Sequence, residues 1–347
     1  MSTYSEINKQ DEARNLDIPI IAAYGIYKNE QNFIERFLES VQTADEIVLC
    51  DTGATDNTND IIKRFIESHP NVKLKTVPIY VSPWRFDDAR NTALSLVSPD
   101  ADICISLDID EYLMENWKTH LINQWENGAT RYYHKFKTFW ADGSTSEHWH
   151  ERIHIRNGYT WKLPVHEVLE YNDTEKIKPL PDFWIYQKPE EKETRSSYLP
   201  LLEQSVKERK EIWKSWSFLA GEYMNVERYD DALKAIDTAL EITNSDKSFL
   251  HKQKYFVYKA QSNMDLALLS LNTAIFYMPQ RREVYLEKAR YLSQLGRNTE
   301  AYFTVLEAEK RTDRITDYHF DLTAWDDAFD DLKSNIYEQA KKEGLLL

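Results

Sequence analysis

The sequence predicts an α/β domain with a mainly parallel sheet over residues 1–195, followed by an all-α helical repeat domain over residues 196–347. Before residue 195, short apolar runs alternate with segments that carry apolar residues at helical spacing. After it, the strand signal disappears and small residues recur at a repeat period of about 34 residues. A chain of 347 residues also has the length of two domains.

Four apolar runs in the first half predict buried strands, and three segments between them predict helices. Strands are expected at residues 18–24, 46–51, 72–79 and 102–108, and helices at residues 32–41, 57–68 and 87–97. Strand–helix alternation of this kind is typical of a parallel sheet covered by helices. Cys50 and Cys104 fall at strand ends and are expected to be buried thiols without a chemical role.

Composition excludes several classes of protein. The chain has 43 Lys+Arg against 58 Asp+Glu, and this net charge of −15 argues against non-specific coating of nucleic acid or anionic membranes. Two cysteines cannot build a disulfide framework, which favours a reducing compartment. The polar start of the chain and its short apolar runs predict no signal peptide and no transmembrane segment. We therefore expect a cytoplasmic protein.

The second half carries three segments that resemble tetratricopeptide (TPR) repeats. The first segment follows the pattern W-x2-L-G-x2-Y-x8-A-x3-F-x2-A with Trp216, Leu219, Ala220, Tyr223, Ala232, Ile236 and Ala239. Ala267 and Ala301 take the place of Ala232 in the next two segments. Stacked helix pairs bury a continuous core that no single pair can bury, and capping helices are expected at about residues 197–213 and 324–341. A plain helical bundle is the alternative.

Acidic residues follow the fourth predicted strand, at the edge where open α/β sheets bind ligands. In S-L-D-I-D-E, Asp108 and Asp110 come directly after a buried run. Side chains alternate along a strand, so both carboxylates are expected to point to one side. Two such oxygen ligands suit a hard divalent cation that holds a diphosphate, although acidic residues also commonly do no more than end a strand.

Other polar residues are expected at the same edge. Asp51 follows the second strand in D-T-G-A-T-D-N-T, a strand-to-helix turn whose structural alternative is simply a capped turn. Residues 24–30 follow the first strand. Arg90, in A-R-N, lies in the segment that opens the helix before the fourth strand and can pair with phosphate oxygens, stack on a base, or form an ordinary surface salt bridge.

Taken in order, these motifs resemble family 2 glycosyltransferases with a GT-A fold over about residues 18–170. The motifs are K-N-E at 28–30, D-E-I-V-x-x-D-T-G-x-T-D-x-T at 45–58, A-R-N at 89–91 and L-D-x-D-E at 107–111. The resemblance implies a Rossmann-like GT-A domain that transfers a sugar from a nucleotide sugar, with UDP favoured as the nucleotide. It also implies Mn²⁺ or Mg²⁺ as the metal.

Carried over position by position, the resemblance implies two sets of site residues. The nucleotide-sugar-binding set is Tyr24, Gly25, Ile26, Asp51, Arg90 and Asp108. The metal-binding set is Asp110 and His166, the latter in V-H-E within a span rich in histidine, tryptophan and acidic residues. Neutral imidazole also suits Mn²⁺.

An inverting transfer needs a carboxylate that takes the proton of the acceptor hydroxyl. Glu151, directly before R-I-H, is the first choice for this catalytic base, with Glu147 and Glu167 as alternatives. Trp149 or Trp140 could form a platform for the acceptor, or could be core aromatic residues.

The acceptor stays open among a lipid- or wall-linked glycan, a protein or peptide side chain, and a hydroxymethylated DNA base in a bacterial or phage-infected cell. Repeat arrays commonly bind extended peptides, which favours protein. Residues 251–300 carry eight basic residues against four acidic ones, and this basic surface would suit a DNA acceptor. A different class of function is an inactive scaffold that binds protein partners through the TPR array.

Overall fold

A computed structural model describes residues 18–141, 143–189, 198–315 and 321–344. The described chain forms two compact units: the first holds residues 18–189 except two short segments, 146–148 and 163–166, and the second holds those segments and residues 198–344. The predicted boundary at residue 195 lies outside the described residues and stays a prediction. Within the described ranges, no helix is long and apolar enough to cross a membrane.

The first unit is built on an eight-stranded, mainly parallel sheet with the order β3-β2-β1-β4-β7-β6-β10-β5. These strands are β1 (Ile21–Tyr27), β2 (Glu46–Asp51), β3 (Leu74–Pro78), β4 (Ile103–Ser106), β5 (Glu111–Leu113), β6 (Arg131–Phe139), β7 (Thr145–Ile155) and β10 (Ile177–Gln187). A separate antiparallel pair consists of β8 (Tyr159–Lys162) and β9 (Val168–Tyr171). Strands β1 to β4 pair in parallel, whereas β7 runs antiparallel to β4 and β5 antiparallel to β10.

Helices follow the strands in the predicted alternation. They are α1 (Ile34–Val41), α2 (Thr58–Ser68), α3 (Phe86–Leu96) and α4 (Trp117–Gln124). Strand β1 is buried on both faces, since Ile21 and Ala23 pack in one core and Ala22 and Tyr24 in the other. A strand buried on both sides is what a parallel sheet covered by helices requires, so the predicted α/β class is confirmed.

Strand β1 begins three residues later than the sequence predicted. Pro19 has no backbone N–H to offer a neighbouring strand, and the N–H of Ile20 donates to the side chain of Asp102 at 2.8 Å. Pairing with the adjacent strands therefore starts at Ile21 and continues to Tyr27. As a result, residues 24–26 lie inside the strand.

The second unit consists of helices. They are α5 (Leu199–Glu208), α6 (Trp213–Asn225), α7 (Tyr229–Ile242), α8 (Lys247–Ala260), α9 (Met264–Tyr277), α10 (Arg282–Gln294), α11 (Asn298–Glu309) and α12 (Asp327–Lys342), with a short 3-10 turn at Leu322–Ala324. The pairs α6–α7, α8–α9 and α10–α11 are the three predicted TPR-like repeats, and Ala232, Ala267 and Ala301 are fully buried in them. Helices α5 and α12 flank the array, which confirms the predicted helical repeat class.

Gly25 lies where β1 passes closest to the chain that follows β4. A Cβ atom at this position would stand 2.6 Å from the carbonyl oxygen of Leu107, a distance that only a backbone shift could relieve. The absence of a side chain therefore lets β1 and the start of the D-x-D segment lie side by side.

We expect Gly25→Ala to lower the free energy of unfolding by about 1–3 kcal/mol, because it forces backbone atoms apart in a packed core. Gly221→Ala is the matched control: a Cβ at this helical position meets nothing within 4 Å. That change should be neutral or stabilising by up to about 1 kcal/mol. Urea unfolding of both variants checks the difference, and equal losses would contradict it.

Candidate functional site

The predicted site residues follow the carboxyl ends of neighbouring strands. β2 ends at Asp51, and β4, on the other side of β1, ends at Ser106. Because β1, β2 and β4 are parallel, these ends lie at the same edge of the sheet, which is where ligands bind in open α/β folds.

The D-x-D motif forms a closed turn. The N–H of Glu111 donates to the carbonyl oxygen of Asp108 at 3.0 Å, and the Glu111 carboxylate accepts from the N–H of Asp108 at 2.9 Å. The sequence placed Asp108 and Asp110 at the end of the fourth strand, but β4 ends at Ser106 and both residues belong to the turn, so strand alternation does not set the direction of their side chains. The two carboxylates consequently have different partners.

Asp108 is held by two arginines. Arg90 Nη2 lies 2.5 Å from Asp108 Oδ1, and Arg152 Nη2 lies 3.2 Å from Asp108 Oδ2. Arg90 also donates through Nε to Glu167, and Arg152 Nη2 lies 3.4 Å from a carboxylate oxygen of Glu111. We call these five residues the arginine–carboxylate cluster.

Burial and charge act against each other within the cluster. Burial alone would raise the pKa of Asp108, but Arg90 and Arg152 outweigh it and hold that pKa well below its usual range. Burial raises the pKa of Glu111 to about 8, with Arg152 opposing the rise. Each guanidinium group thus lies between two carboxyl groups: Arg90 between Asp108 and Glu167, and Arg152 between Asp108 and Glu111.

Asp110 is buried but less engaged than Asp108. Its Oδ2 accepts from Gln187 Nε2 at 3.3 Å, and its Oδ1 accepts no hydrogen bond from the described residues. Arg36 holds the Asp110 backbone, because its Nη2 donates to the Asp110 carbonyl oxygen at 3.0 Å while the guanidinium stacks 4.7 Å from the ring of Tyr112. Asp110 thus offers a fixed carboxylate oxygen to a ligand.

The described part of the chain contains no group of three or more His, Cys, Asp and Glu residues that could hold a metal ion. A divalent cation at Asp110 would therefore take further oxygen ligands from a diphosphate and from water. Mg²⁺ is commonly bound in this way, through one or two carboxylates and substrate phosphates. Asp110 fits such a cation, because it supplies a hard oxygen donor in a fixed position.

Asp51 closes the turn that follows β2. Its Oδ1 accepts from the N–H groups of Gly53 at 2.8 Å and Ala54 at 2.7 Å, and its Oδ2 accepts from Asn59 at 3.0 Å. These contacts are those of a capped turn, which the sequence left open as the structural alternative. Binding of a nucleotide by Asp51 stays a prediction.

Tyr24 connects three strands through its hydroxyl group. Trp161 Nε1 donates to this oxygen at 2.9 Å, and the hydroxyl lies 2.9 Å from His154 Nε2. His154 Nδ1 lies 2.7 Å from the Ile155 carbonyl, which can only accept, so Nδ1 carries the proton and Nε2 accepts from Tyr24. The side chain of Tyr24 is thus a buried connector, and nucleotide binding by residues 24–26 stays a prediction.

In the span rich in histidine, tryptophan and acidic residues, several histidines contact other residues of the protein. His134 accepts the N–H of Arg152 at 3.2 Å through Nε2. His166 belongs to the second unit, has a left-handed backbone with φ of 50°, and stacks on Phe218 with ring centroids 4.0 Å apart. The role of His166 as a metal ligand stays a prediction.

Glu151 is paired with Arg131. Arg131 Nη1 donates to the Glu151 carboxylate, Nη2 lies 2.8 Å from Glu175 Oε1, and the guanidinium lies 4.9 Å from the ring centre of Tyr159. The orientation of Glu151 is thereby fixed, while its role as the base stays a prediction.

Both tryptophans proposed as an acceptor platform are partly exposed and are not core residues. Trp140 is exposed at the end of β6, and Lys135 Nζ lies 4.2 Å from the ring centre of Trp149. Their exposure keeps both rings accessible to a ligand.

Sequence reasoning gave no role to three residues that organise the site: Arg36, Glu111 and Arg152. Arg152 stood in the quoted R-I-H pattern and Glu111 in L-D-x-D-E, but neither motif shows which residue each one contacts. Arg152 meets Asp108 across 44 positions of sequence, a contact that only the pairing of β7 with β4 creates.

Comparison with known proteins finds a family match within the first unit. Residues 26–177 match the model of the family described as Glycosyl transferase family 2. The motifs that resembled that family, from K-N-E at 28–30 to L-D-x-D-E at 107–111, lie within this matched segment. A comparison with curated proteins gives no match.

Solved structures similar to the chain include a MamA protein and a TPR2B domain. A crystal structure of MamA protein is 11% identical with a TM-score of 0.30, covering 42% of this chain and 78% of that one. The TPR2B domain of yeast Sti1 in complex with pHsp70 is 16% identical with a TM-score of 0.31, covering 37% of this chain and 97% of that one. Similarity this low says nothing about function.

His154, the buried histidine that contacts Tyr24, should make the stability of the fold depend on pH. Burial lowers the pKa of His154 to about 3, whereas an unfolded histidine titrates near pH 6.5. Between these two pKa values only the unfolded chain takes up the proton. The contribution of His154 to the free energy of unfolding is therefore fully present above pH 6.5 and is lost as the pH falls. From pH 7 to pH 5 the loss is about 2 kcal/mol.

We expect the stability difference between wild type and His154→Gln to shrink by that amount, about 2 kcal/mol, between pH 7 and pH 5. Urea unfolding of both proteins at the two pH values measures the change. A difference that is the same at both pH values would show that His154 is not held neutral.

Proposed function

We propose that the protein is a metal-dependent, inverting glycosyltransferase that moves a sugar from a UDP-sugar to a macromolecular acceptor. The observation that supports this most is the unequal engagement of the two D-x-D carboxylates. Asp108 has both oxygens held by arginines, whereas Asp110 keeps Oδ1 without a hydrogen bond from the described residues. This arrangement stands at the ligand-binding edge of a family 2 glycosyltransferase domain.

Asp110 would hold the metal, Mn²⁺ or Mg²⁺. A cation held there would supply positive charge to offset that of the leaving diphosphate. Arg36 and Gln187 fix the backbone and carboxylate of Asp110, so its free oxygen is oriented before the ligand arrives. Orientation in advance lowers the cost of binding.

Arg90 would contribute to donor binding indirectly, by orienting Asp108. Its Nε and Nη2 groups are used by Glu167 and Asp108, and its Nη1 lies 3.5 Å from Ser106 Oγ. A guanidinium engaged in this way orients Asp108 towards the ribose more readily than it binds a phosphate itself. Asp51 and residues 24–26 would line the nucleotide side of the same edge.

A protein or peptide acceptor is favoured over a DNA base. Much of the basic surface expected from residues 251–300 is used inside the repeats: Arg281 is buried, and the Arg282 guanidinium lies 3.9 Å from the ring centre of Phe329. Lys254 pairs with Asp237. Fewer cations then remain to bind phosphates, on which DNA affinity depends.

Glu151 is the proposed base, and Glu175 provides its control because both carboxylates pair with Arg131. We expect Glu151→Gln to lower kcat by about 10²–10⁴-fold with little change in the KM of the donor. Glu175→Gln should keep most of the activity. Steady-state assays of both variants decide the assignment, and equal effects would mean that Glu151 acts only by holding Arg131.

The metal role of Asp110 is tested by calorimetric titration of UDP in the presence of Mn²⁺, together with hydrolysis of a panel of UDP-sugars. Asp110→Asn should weaken UDP binding in Mn²⁺ at least about 10-fold and abolish turnover, because a charged ligand is lost. The control is Asp182→Asn, an exposed residue of β10, which should change neither. A wild-type protein that neither binds UDP nor hydrolyses any UDP-sugar would overturn the proposed function.

A further inference from the structure

Asn91, the last residue of the A-R-N motif, makes a long-range contact that the proposed function does not use. It lies in helix α3 directly after Arg90, and its side chain bonds the backbone of Trp161 in strand β8, 70 positions further along the chain. Asn91 Nδ2 donates to the Trp161 carbonyl oxygen at 2.9 Å, and the Trp161 N–H donates to Asn91 Oδ1 at 2.8 Å. Both groups of the amide are therefore engaged, and their orientation is set by the backbone groups they meet.

The indole ring of Trp161 is held at a second point. Its Nε1 donates to the hydroxyl oxygen of Tyr24 in β1 at 2.9 Å, and the side chain is buried. A buried indole N–H needs such a partner. Because Asn91 holds the backbone of Trp161 and Tyr24 holds its ring, the plane of the indole has a fixed direction.

This ring covers one face of the Arg90 guanidinium. Arg90 Cζ lies 5.1 Å from the centre of the Trp161 ring, within the range of a cation–π contact. The nitrogen atoms of the same guanidinium contact three other side chains: Glu167 at Nε, Ser106 at Nη1 and Asp108 at Nη2. Arg90 is thus restrained at each nitrogen and on one face.

Two of these restraints come from the antiparallel pair β8–β9. Trp161 lies in β8, and Glu167 directly precedes β9. The pair forms a sheet of its own, so strand pairing with the eight-stranded sheet does not fix its position beside Arg90. The two bonds of Asn91 attach β8 to α3 at the residue next to Arg90, and they therefore set how closely the pair approaches the guanidinium.

We propose that Asn91 and Trp161 are positioning residues for the donor site, which act by holding Arg90 against Asp108. Both roles rest on the proposed function, in which Asp108 lies towards the ribose of the nucleotide sugar. An arginine side chain that is free to change rotamer must be ordered when a ligand binds, and that ordering costs affinity. Contacts made in advance by Asn91 and Trp161 remove this cost from donor binding.

Calorimetric titration of UDP in Mn²⁺ with the full chain measures the effect. Asn91→Ala should weaken UDP binding about 3- to 10-fold, which is the cost of ordering one long side chain again. The matched control is Asp45→Ala, at the amino-terminal end of β2. The Asp45 carboxylate accepts from the Ile21 N–H at 2.9 Å and from Lys118 Nζ at 2.7 Å. Its loss should lower the Tm and leave UDP affinity unchanged.

A double-mutant cycle with Arg90→Lys separates positioning from a loss of stability. Lysine keeps the charge but has a single nitrogen, so it cannot replace the separate Nε and Nη2 contacts of Arg90. Asn91→Ala should weaken UDP binding in the wild type and have no further effect in Arg90→Lys, because the two residues act through one contact. It should lower the Tm in both backgrounds. Equal losses of UDP affinity in both backgrounds, or no loss in either, would overturn the proposal.

Two variants of Trp161 test the ring independently. Trp161→Phe and Trp161→Leu both lose the bond to Tyr24, but only phenylalanine keeps an aromatic face over Arg90. Trp161→Phe should bind UDP more tightly than Trp161→Leu, and equal affinities would contradict the role of the ring. A wild type that binds no UDP would contradict the proposed function itself. Wild-type binding that none of these variants alters would contradict only the positioning role.

Discussion

The contact of Asp108 with two guanidinium groups is the interaction on which the site depends. Arg90 comes from α3 and Arg152 from β7, so a single carboxylate joins a helix, the turn after β4 and an antiparallel strand. Buried charges of this kind are tolerated only when each has its partners. Glu167 and Glu111 complete those partnerships, and the turn takes a fixed shape as a consequence.

Within this turn, the two carboxylates of the D-x-D motif have different contacts. Both oxygens of Asp108 are paired with arginines, whereas Oδ1 of Asp110 accepts no hydrogen bond from the described residues and Arg36 holds the Asp110 backbone. The close passage of β1 at Gly25 lets the first strand lie against the same segment. The packing of β1 in the sheet therefore helps to position the D-x-D turn at the edge of the sheet.

Local patterns in the sequence predicted most of the fold and part of the candidate site. Strand–helix alternation and the alanine spacing depend on periodicity, which is visible in a single chain. The start of β1 was misplaced because the amide N–H of Ile20 bonds to a side chain. Arg152 was missed because its contact with Asp108 spans 44 positions, and the bonds of Asn91 to Trp161, which span 70, were missed for the same reason.

In the proposed function, the edge formed by the turns after β2 and β4 binds the nucleotide sugar. Hydrogen exchange measured with and without UDP and Mn²⁺ tests it most directly, because bound ligand slows exchange of the backbone amides it orders. We predict slower exchange in residues 51–58 and 106–113, with no change in residues 247–309. Binding of UDP that leaves both turns unchanged, or that protects only the repeat helices, would contradict the claim.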